Sequence, residues 1–379
     1  MGTGMGMSMG MGMSMDPHAI RVFGAVHRYH QGPGAIGLAG EVAASLGRQP
    51  LLVADEIVHG LVFDTAAAAC RRHDLDLRWV AVRGDVTRAA VQRLVAEARV
   101  GGRQPDVVLA AGGGKGVDTG KAVSRELGAR LVVLPTSASN DGPCSKAFVY
   151  YDDAHRMASV EFLPRNPDAV LVDTNLLVQA PRALLVSGIG DALCKLYEGE
   201  QTRNNGGLNL FGGAGTIAAQ QISVACDRVI REDAVEGLEA LAAARPTPAF
   251  ERLTEALVLL SGLAFENSGL SLAHSLTRGL PLAEGSETTL HGFHVGYGLL
   301  VQFILEQRSP DFMARQLAFH RAVGLAVNLA GLGVHDTGAA TIRRIADGTM
   351  ASPHLKHFQR PLSAADFENA MQRLEQLTA

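Results

Sequence analysis

Hydrophobic and polar residues follow two different patterns along the first half of the chain. Short valine- and leucine-rich runs are typical of buried strands, and the longer segments between them repeat apolar residues at helical spacing. The predicted strands are 50–58, 78–82, 106–112 and 130–138, the predicted helices are 87–100 and 118–128, and a hairpin from 146 precedes a last strand ending near Thr174. Strands that alternate with helices in this way form a mostly parallel sheet covered by helices.

The second half of the chain has a different pattern. Runs of β-branched residues become rare, while Ala, Leu, Arg and Glu recur every three or four residues. The predicted helices are 182–200, 214–231, 251–266, 269–278, 290–307 and 311–330. We therefore predict an α/β domain over 18–180 and an all-α domain over 181–379. The low-complexity Met/Gly/Ser segment 1–17 lacks the basic and leucine-rich parts of a signal peptide and is predicted to be a disordered leader.

Composition excludes several classes of function. The chain has 379 residues, enough for two domains, and its 47% hydrophobic and 19% charged residues describe a soluble globular protein. A net charge of -4 gives no electrostatic reason for a nucleic-acid or membrane partner, and no apolar run approaches the length of a membrane span. The four cysteines are far apart and form no CxxC pair, which favours a reducing, cytoplasmic location.

One glycine-rich stretch suggests a ligand. "AAGGGKGVDTGKAV" (110–123) follows an apolar strand predicted to end at Leu109 or Ala110, and a helix is predicted to begin near Val117 or Asp118. Such a junction exposes backbone N–H groups at the positive end of a helix, where a phosphate can bind. The spacing fits neither a Walker loop nor the GxGxxG fingerprint. From the residues alone, a phosphate site and a tight connection both stay open.

Several motifs taken together indicate a family. The motifs, in chain order, are "GGGKGVDTGKAV", "LPTSASNDGPCS", "LPRNPDAVLVDT", "GIGDAL", "GLSLAHSLTRGL" and "HGFHVGYGLL". In order and spacing the chain resembles the glycerol dehydrogenases, which belong to the superfamily of iron-containing alcohol dehydrogenases and dehydroquinate synthase. The resemblance implies a dehydroquinate synthase-like fold, with an NAD-binding α/β domain followed by a helical metal-binding domain. It also implies a homo-oligomer.

The resemblance gives a metal-binding role to three residues. From the residues alone, Asp191 follows a Gly-Ile-Gly turn and is expected as a dipole partner in the first turn of a helix even without metal. Each of His274 and His291, taken singly, is more often a hydrogen-bonded structural residue than a ligand. In the resembling enzymes the matching residues bind one divalent metal and form the catalytic centre. Three N/O ligands leave a position at which the metal can bind a substrate hydroxyl and lower its pKa. Lys195 stands where iron-type relatives carry a further histidine, which favours zinc over iron.

The cofactor residues follow from the same matching. Asp55 is implied to hold the adenosine ribose, and its charge would repel a 2′-phosphate, so NAD is preferred over NADP. The implied contacts with the rest of the dinucleotide are Gly113, Gly114, Lys115, Thr136, Ser139, Ser145 and Tyr151. Asp118 and Lys121 belong to the family pattern too, although a helix cap and a solvated charge are equally ordinary readings of them.

The expected substrate is a small polyol such as glycerol. Asp141 matches a residue that contacts the polyol in the resembling enzymes, although Asn-Asp-Gly-Pro is also an ordinary turn sequence. Two departures from the family pattern are Lys146, which either adds charge at the cavity wall or points into water, and His294, which we expect to be structural. Lys146 keeps open an alternative, the dehydrogenation of a phosphorylated or other anionic alcohol. A dehydroquinate synthase-like carbocyclase or lyase is a further alternative.

Overall fold

The computed structural model describes Asp16, residues 18–152 and residues 157–378, so all of the predicted leader except Asp16 lies outside the described residues. The strands are β1 (Tyr29–Gly32), β2 (Pro50–Ala54), β3 (Arg78–Ala81), β4 (Val107–Gly112), β5 (Arg130–Pro135), β6 (Ala147–Tyr151), β7 (Met157–Phe162) and β8 (Ala169–Asp173). Six of them form a parallel sheet in the order β1-β8-β5-β4-β2-β3, and β6 and β7 form a separate antiparallel hairpin. The predicted parallel sheet is confirmed.

Helices cover the sheet and then make up nearly all of the chain after it. They are α1 (Ala39–Leu46), α2 (Glu56–Arg71), α3 (Arg88–Ala98), α4 (Gly114–Leu127), α5 (Thr174–Leu177), α6 (Arg182–Leu193), α7 (Lys195–Asn204), α8 (Ile217–Ala242), α9 (Pro248–Glu255), α10 (Ser261–Ser268), α11 (Leu272–Leu276), α12 (His291–Leu305), α13 (Pro310–Val323), α14 (Ala339–Thr349) and α15 (Ala364–Thr378). A π-helical turn over Ala256–Leu260 joins α9 to α10.

Successive residues of the central strands face two different cores, as the alternation of side chains along a strand requires. In β4, Val107 and Leu109 pack into a core with α1 and α2, whereas Val108 packs into a core that continues through α6, α8 and α12. All six residues of β4 are buried, as expected for a central parallel strand. One face of the sheet is thus continuous with the interior of the helical part, which fixes the position of one relative to the other.

Several element boundaries differ from the sequence prediction. The strand predicted over 50–58 ends at Ala54, because Asp55 caps α2 and the chain turns into that helix. The helix predicted over 182–200 is interrupted at Cys194. The strand β1 was not predicted because its sequence, YHQG, has no β-branched residue. It forms the edge of the sheet beside β8.

Among the described helices, none by itself is long and apolar enough to cross a membrane. One bent pair, Pro248–Ser268 with Leu272–Leu282 at 94°, passes by length and composition alone.

Candidate active site

The three predicted metal ligands lie together. Asp191 is in the last turn of α6, His274 is in α11 and His291 is the first residue of α12. The Oδ1 atom of Asp191 is 3.4 Å from Nε2 of His274 and 3.9 Å from Nε2 of His291. The donor atoms of the three residues all lie within 4.8 Å of one another. The fold therefore brings together side chains that are far apart in the sequence.

The donor set fits a divalent metal. Ligand atoms about 2.1 Å from a tetrahedral ion are separated from each other by about 3.4 Å. The two distances from Asp191 are close to this separation without any rearrangement. One carboxylate and two imidazoles are also the kind of three-ligand set that catalytic zinc sites use.

Glycines inside the helices explain how the ligands meet. The sequence suggested a turn at Gly-Ile-Gly with Asp191 in the first turn of a helix, and this was wrong, since α6 begins at Arg182 and contains both glycines. A methyl group added to Gly190 would lie 2.2 Å from the carbonyl oxygen of Gly292, and one added to Gly292 would lie 1.7 Å from that of Ser187. Helices α6 and α12 can therefore cross in backbone contact, which places Asp191 beside His291.

Glu198, which the sequence did not single out, orients His274. Its side chain is fully buried in α7. One carboxylate oxygen accepts hydrogen bonds from the backbone N–H groups of Ser271 (2.8 Å) and His274 (3.0 Å), and the other lies 2.6 Å from Nδ1 of His274. With Nδ1 bonded to Glu198, Nε2 is the nitrogen that faces Asp191. Burial alone would lower the pKa of His274, but Glu198 outweighs it and raises the pKa well above its ordinary value.

Lys195 is a buried cation between two carboxylates. Its side chain is 0% exposed, and Nζ is 2.8 Å from Oδ2 of Asp141 and 2.8 Å from Oδ1 of Asp191. Burial alone would lower the pKa of Lys195, but the two carboxylates raise it well above its ordinary value. Burial alone would raise the pKa of Asp191, but Lys195, His274 and His291 hold it well below its ordinary value. Both groups are therefore charged at neutral pH.

The predicted substrate residue Asp141 borders the metal triad. Its backbone N–H donates to Oδ2 of Asp191 at 3.2 Å, and its side chain pairs with Lys195. Asp141 precedes a single 3-10 turn over Gly142–Cys144, so the predicted turn is present as well. The two readings of Asp141 are compatible, because the turn holds the carboxylate next to the triad.

The glycine-rich stretch forms a strand-to-helix junction, but the junction differs in register from the prediction. Strand β4 ends at Gly112, as predicted from the apolar run 106–112 and not at Leu109 or Ala110, and α4 begins at Gly114 rather than near Val117 or Asp118. A methyl group on Gly116 would lie 2.4 Å from the carbonyl oxygen of Ala111, so the first turn of α4 packs directly on the end of β4. Gly113 is the N-cap and no side chain caps the helix there. The first N–H groups of α4 are thus available to an anion.

Four other predicted cofactor residues lie around the same edge of the sheet. Asp55 follows β2 and accepts a hydrogen bond from the backbone N–H of Val58 at 2.8 Å, so it caps α2 whatever else it binds. The backbone N–H of Thr136 donates to Gly112 at 3.0 Å, and Ser139 follows in the same loop. The ammonium group of Lys115 forms an ion pair with Asp85.

Ser145 and Tyr151 lie further along, beside the hairpin. The hydroxyl of Ser145 is buried and lies 3.5 Å from Nζ of Lys121. Lys121 is 0% exposed and donates to the carbonyl oxygens of Gly142 and Ala147, both at 2.6 Å, so the reading of Lys121 as a solvated charge was wrong. Tyr151 is the last residue of β6 and donates its backbone N–H to the carbonyl oxygen of Val86 at 2.9 Å.

Asp118 is not a helix cap. It lies within α4, and its carboxylate accepts a hydrogen bond from the backbone N–H of Val149 at 3.0 Å. Burial raises the pKa of Asp118 to about 6, against the opposing charge of Lys121. Asp118 and Lys121 together attach the helix to the start of the hairpin.

Lys146 and His294, the two departures from the family pattern, have structural contacts. Lys146 is half-buried, and its ammonium lies 4.2 Å from the ring centroid of Phe211 and 5.5 Å from that of Phe162. Its backbone N–H donates to Glu266 at 2.6 Å. His294 is 3% exposed, and burial lowers its pKa to about 4, which agrees with the expected structural role.

The chain is similar to known proteins of one family. Residues 30–181 match the family model described as iron-containing alcohol dehydrogenase. The glycerol dehydrogenase of Citrobacter freundii is 32% identical over 338 residues, which cover 89% of this chain and 92% of that protein. The glycolaldehyde reductase of Halobacterium salinarum is 35% identical over 314 residues, covering 83% and 85%.

The similarity extends to three dimensions. The crystal structure of a probable glycerol dehydrogenase from Sinorhizobium meliloti 1021 superimposes with a TM-score of 0.87 at 34% identity, over 95% of this chain and 99% of that one. The match thus includes both the sheet and the helices that carry Asp191, His274 and His291. The chain belongs to the iron-containing alcohol dehydrogenase family.

Proposed function

We propose that this enzyme oxidises a small polyol such as glycerol and that its metal is zinc. Membership of the family makes the chain a metal-dependent alcohol dehydrogenase that uses NAD. The observation that carries the proposal is the set of donor atoms on Asp191, His274 and His291, all within 4.8 Å, with Asp141 at their border.

The chemistry divides between the bound groups and the protein. When bound, the metal polarises the alcohol oxygen as a Lewis acid and NAD⁺ accepts the hydride, so the products are a carbonyl compound, NADH and a proton. The protein orients the site. Asp191, His274 and His291 would hold the metal, Glu198 keeps Nε2 of His274 turned toward it, and Asp141 would accept a hydrogen bond from a second hydroxyl of the substrate.

Zinc is favoured by the number of protein ligands. The triad supplies one oxygen and two nitrogens as ligand atoms. The residue four positions after Asp191, which could supply a fourth ligand, is Lys195, and its ammonium contacts Asp191. A protonated amine has no lone pair to donate. Three N/O ligands with an open position are typical of catalytic zinc.

A polyol is favoured by the acidic residue beside the triad and by the relatives. A carboxylate accepts hydrogen bonds from hydroxyl groups, and Asp141 lies 2.8 Å from Lys195 and within hydrogen-bond reach of Asp191 through its backbone. The relatives from Citrobacter freundii and Sinorhizobium meliloti carry the names glycerol dehydrogenase and probable glycerol dehydrogenase.

NAD is expected to bind along the edge of the sheet where β2, β4 and β5 end. The uncapped first turn of α4 at Gly113 and Gly114 suits the pyrophosphate, and Asp55 suits the ribose and disfavours a 2′-phosphate. The Lys115, Thr136 and Ser139 side chains border the same edge. Ser145 and Tyr151 remain proposed contacts nearer to the hairpin. The hydroxyl of Ser145 is engaged with the protein interior, so a contact with NAD would need its hydrogen bonds to change.

One experiment tests the proposal directly. The purified protein is assayed with NAD⁺ against small polyols, 2-hydroxy acids and amino alcohols, and its metal content is determined by elemental analysis. We expect NADH formation with glycerol or a close analogue and about one zinc ion per chain. His274→Ala and His291→Ala should lose metal and turnover together, whereas the exposed His335→Ala control should not. Turnover that survives both ligand substitutions would refute the metal site.

The other functions considered are distinguished by the same assay. A carbocyclase or lyase would give no net NADH, and the relatives named above are a dehydrogenase and a reductase, so that class is not favoured. An anionic alcohol was suggested by Lys146, whose ammonium lies 4.2 Å from the ring centroid of Phe211. Comparing glycerol with glycerol phosphate as substrates decides between the polyol and its anionic counterpart.

We also propose a cytoplasmic homo-oligomer. Three apolar side chains on one face of α8 are solvent-exposed in the single chain, namely Ile217 (77%), Val224 (41%) and Val235 (48%). A subunit contact on this face of α8 would remove these three side chains from water. Sedimentation equilibrium of the wild type and of Ile217→Lys checks this, and a monomeric wild type would contradict it.

A further inference from the structure

We propose that Lys195 weakens metal binding by competing with the metal for the Asp191 carboxylate, and that Asp141 limits this competition by sharing the ammonium. The inference rests on the metal site of the proposed function. It concerns how strongly that site holds its metal, a property that the ligand set alone does not determine.

The competition follows from the identity of one atom. The ammonium of Lys195 is 2.8 Å from Oδ1 of Asp191, and this is the same oxygen that faces the Nε2 atoms of His274 and His291. The other oxygen of Asp191 accepts the backbone N–H of Asp141. A dication held by the triad would therefore share its carboxylate oxygen with a cation in hydrogen-bond contact.

The ammonium cannot leave the site for water. The Lys195 side chain is 0% exposed, and it lies near the ring of Phe265, 5.7 Å from the centroid. Its second carboxylate partner is Asp141, also at 2.8 Å. When a metal binds Asp191, the contact with Asp141 is the one that can keep the ammonium paired.

Charge balance explains why such an arrangement is stable without metal. Without Lys195, Asp191, which is 1% exposed, would have only the two imidazoles and one backbone N–H as partners, and a buried carboxylate is costly unless its charge is balanced. Lys195 neutralises it in the metal-free protein. Once a metal supplies positive charge, the same ammonium becomes a repulsive neighbour.

The two partners of the ion pair should therefore have opposite effects on metal affinity. Removing the Lys195 charge removes a competitor, so Lys195→Met should tighten Zn²⁺ binding by about tenfold or more. Removing the Asp141 charge leaves Asp191 as the only carboxylate for the ammonium, so Asp141→Asn should weaken Zn²⁺ binding by about threefold to tenfold. In the double variant the affinity should return to that of Lys195→Met.

The test measures the dissociation constant for Zn²⁺ alone, by competition with a chromophoric chelator, on metal-stripped full-length protein without NAD or alcohol. A residue that only supports the fold would weaken binding whichever partner is removed, so opposite signs distinguish the proposal. Circular dichroism and thermal unfolding establish that each variant is folded, and Lys195→Gln replaces Lys195→Met if the latter does not fold.

Lys121→Met is the matched control. Lys121 is another lysine with no exposed surface, but its ammonium contacts the carbonyl oxygens of Gly142 and Ala147 instead of a metal ligand. Its Zn²⁺ affinity should stay close to that of the wild type.

Three results would overturn the proposal. In the first, Lys195→Met or Lys195→Gln binds Zn²⁺ no more tightly than the wild type does. In the second, Asp141→Asn binds Zn²⁺ more tightly than the wild type. In the third, Lys121→Met gains as much Zn²⁺ affinity as Lys195→Met does. If no form binds Zn²⁺ at all, the proposed function fails as well. If all forms bind with equal affinity, only the role of Lys195 fails.

Discussion

Glu198→Ala tests whether a residue that contacts the proposed metal ligand His274 controls the metal site. Glu198 is fully buried and accepts three hydrogen bonds, from the backbone N–H groups of Ser271 and His274 and from the imidazole of His274. Hydrogen bonds to a buried charged group contribute about 1.5 kcal/mol or more each. The substitution should therefore lower the free energy of unfolding of the metal-free protein by about 4 kcal/mol, partly offset if water enters.

The effect on metal binding is a separate consequence. Without the carboxylate, the His274 ring is free to turn and to adopt the other tautomer, so Nε2 no longer faces Asp191 in a fixed way. Loss of such a partner reduces metal affinity by about 10- to 100-fold. Glu198→Gln retains an acceptor of the same shape and should lie between the wild type and Glu198→Ala in both measurements.

The assays are urea unfolding followed by circular dichroism and Zn²⁺ competition titration. Glu200→Ala, on the same helix and only partly buried, is the control and should change neither quantity much. Wild-type Zn²⁺ affinity in Glu198→Ala, together with an unfolding free energy within about 1 kcal/mol of the wild type, would refute the positioning role.

Three further predictions use other contacts. Gly190→Ala places a methyl group 2.2 Å from the Gly292 carbonyl oxygen, so it should lower the free energy of unfolding by about 2 kcal/mol or more in thermal unfolding and reduce metal retention. The control Gly60→Ala, with open space around the added methyl group, should not destabilise the protein. Burial raises the pKa of Glu266 from 4.5 to about 7. The protonated carboxyl therefore stabilises the fold below pH 4.5, and this contribution of about 3 kcal/mol is lost as the pH rises to 7. Glu266→Gln should remove this pH dependence from the free energy of unfolding in urea, measured between pH 4.5 and 7. Asp55→Asn keeps a capping oxygen but loses the charge, so it should leave stability within about 0.5 kcal/mol while raising kcat/KM with NADP⁺.

Much of the fold followed from local patterns. The central strands are buried on both faces and read as continuous apolar runs, so β4 and β5 were visible in the sequence. Strand β1 and helices α1, α2, α5, α14 and α15 were missed. The edge strand gains its conformation from pairing with β8, and a tetrapeptide with no β-branched residue carries no local signal of that pairing.

The site was predictable in its members but not in its contacts. The motifs pointed to Asp191, His274 and His291, and the structure brings all three together. The Gly-Ile-Gly stretch was read as a turn because glycine usually marks one, but here the glycines permit close approach of α12, which depends on tertiary structure. Lys195 was recognised as an unusual substitution, yet its pairing with Asp141 joins parts of the chain that only the folded structure brings into contact.

The loop after β5 connects the expected dinucleotide site with the proposed metal site. Its backbone touches the helical part at three successive points: Ala138 lies against Gly188, the carbonyl oxygen of Ser139 accepts the Ser187 hydroxyl at 3.1 Å, and Asp141 donates to Asp191 at 3.2 Å. The same loop begins beside Gly112, where the dinucleotide is expected. In each contact the loop supplies a backbone atom, so the packing of the loop, rather than its flexible side chains, would set the distance between the expected dinucleotide site and the proposed metal site. Reactant alignment of this kind is where much of the rate of a hydride transfer originates.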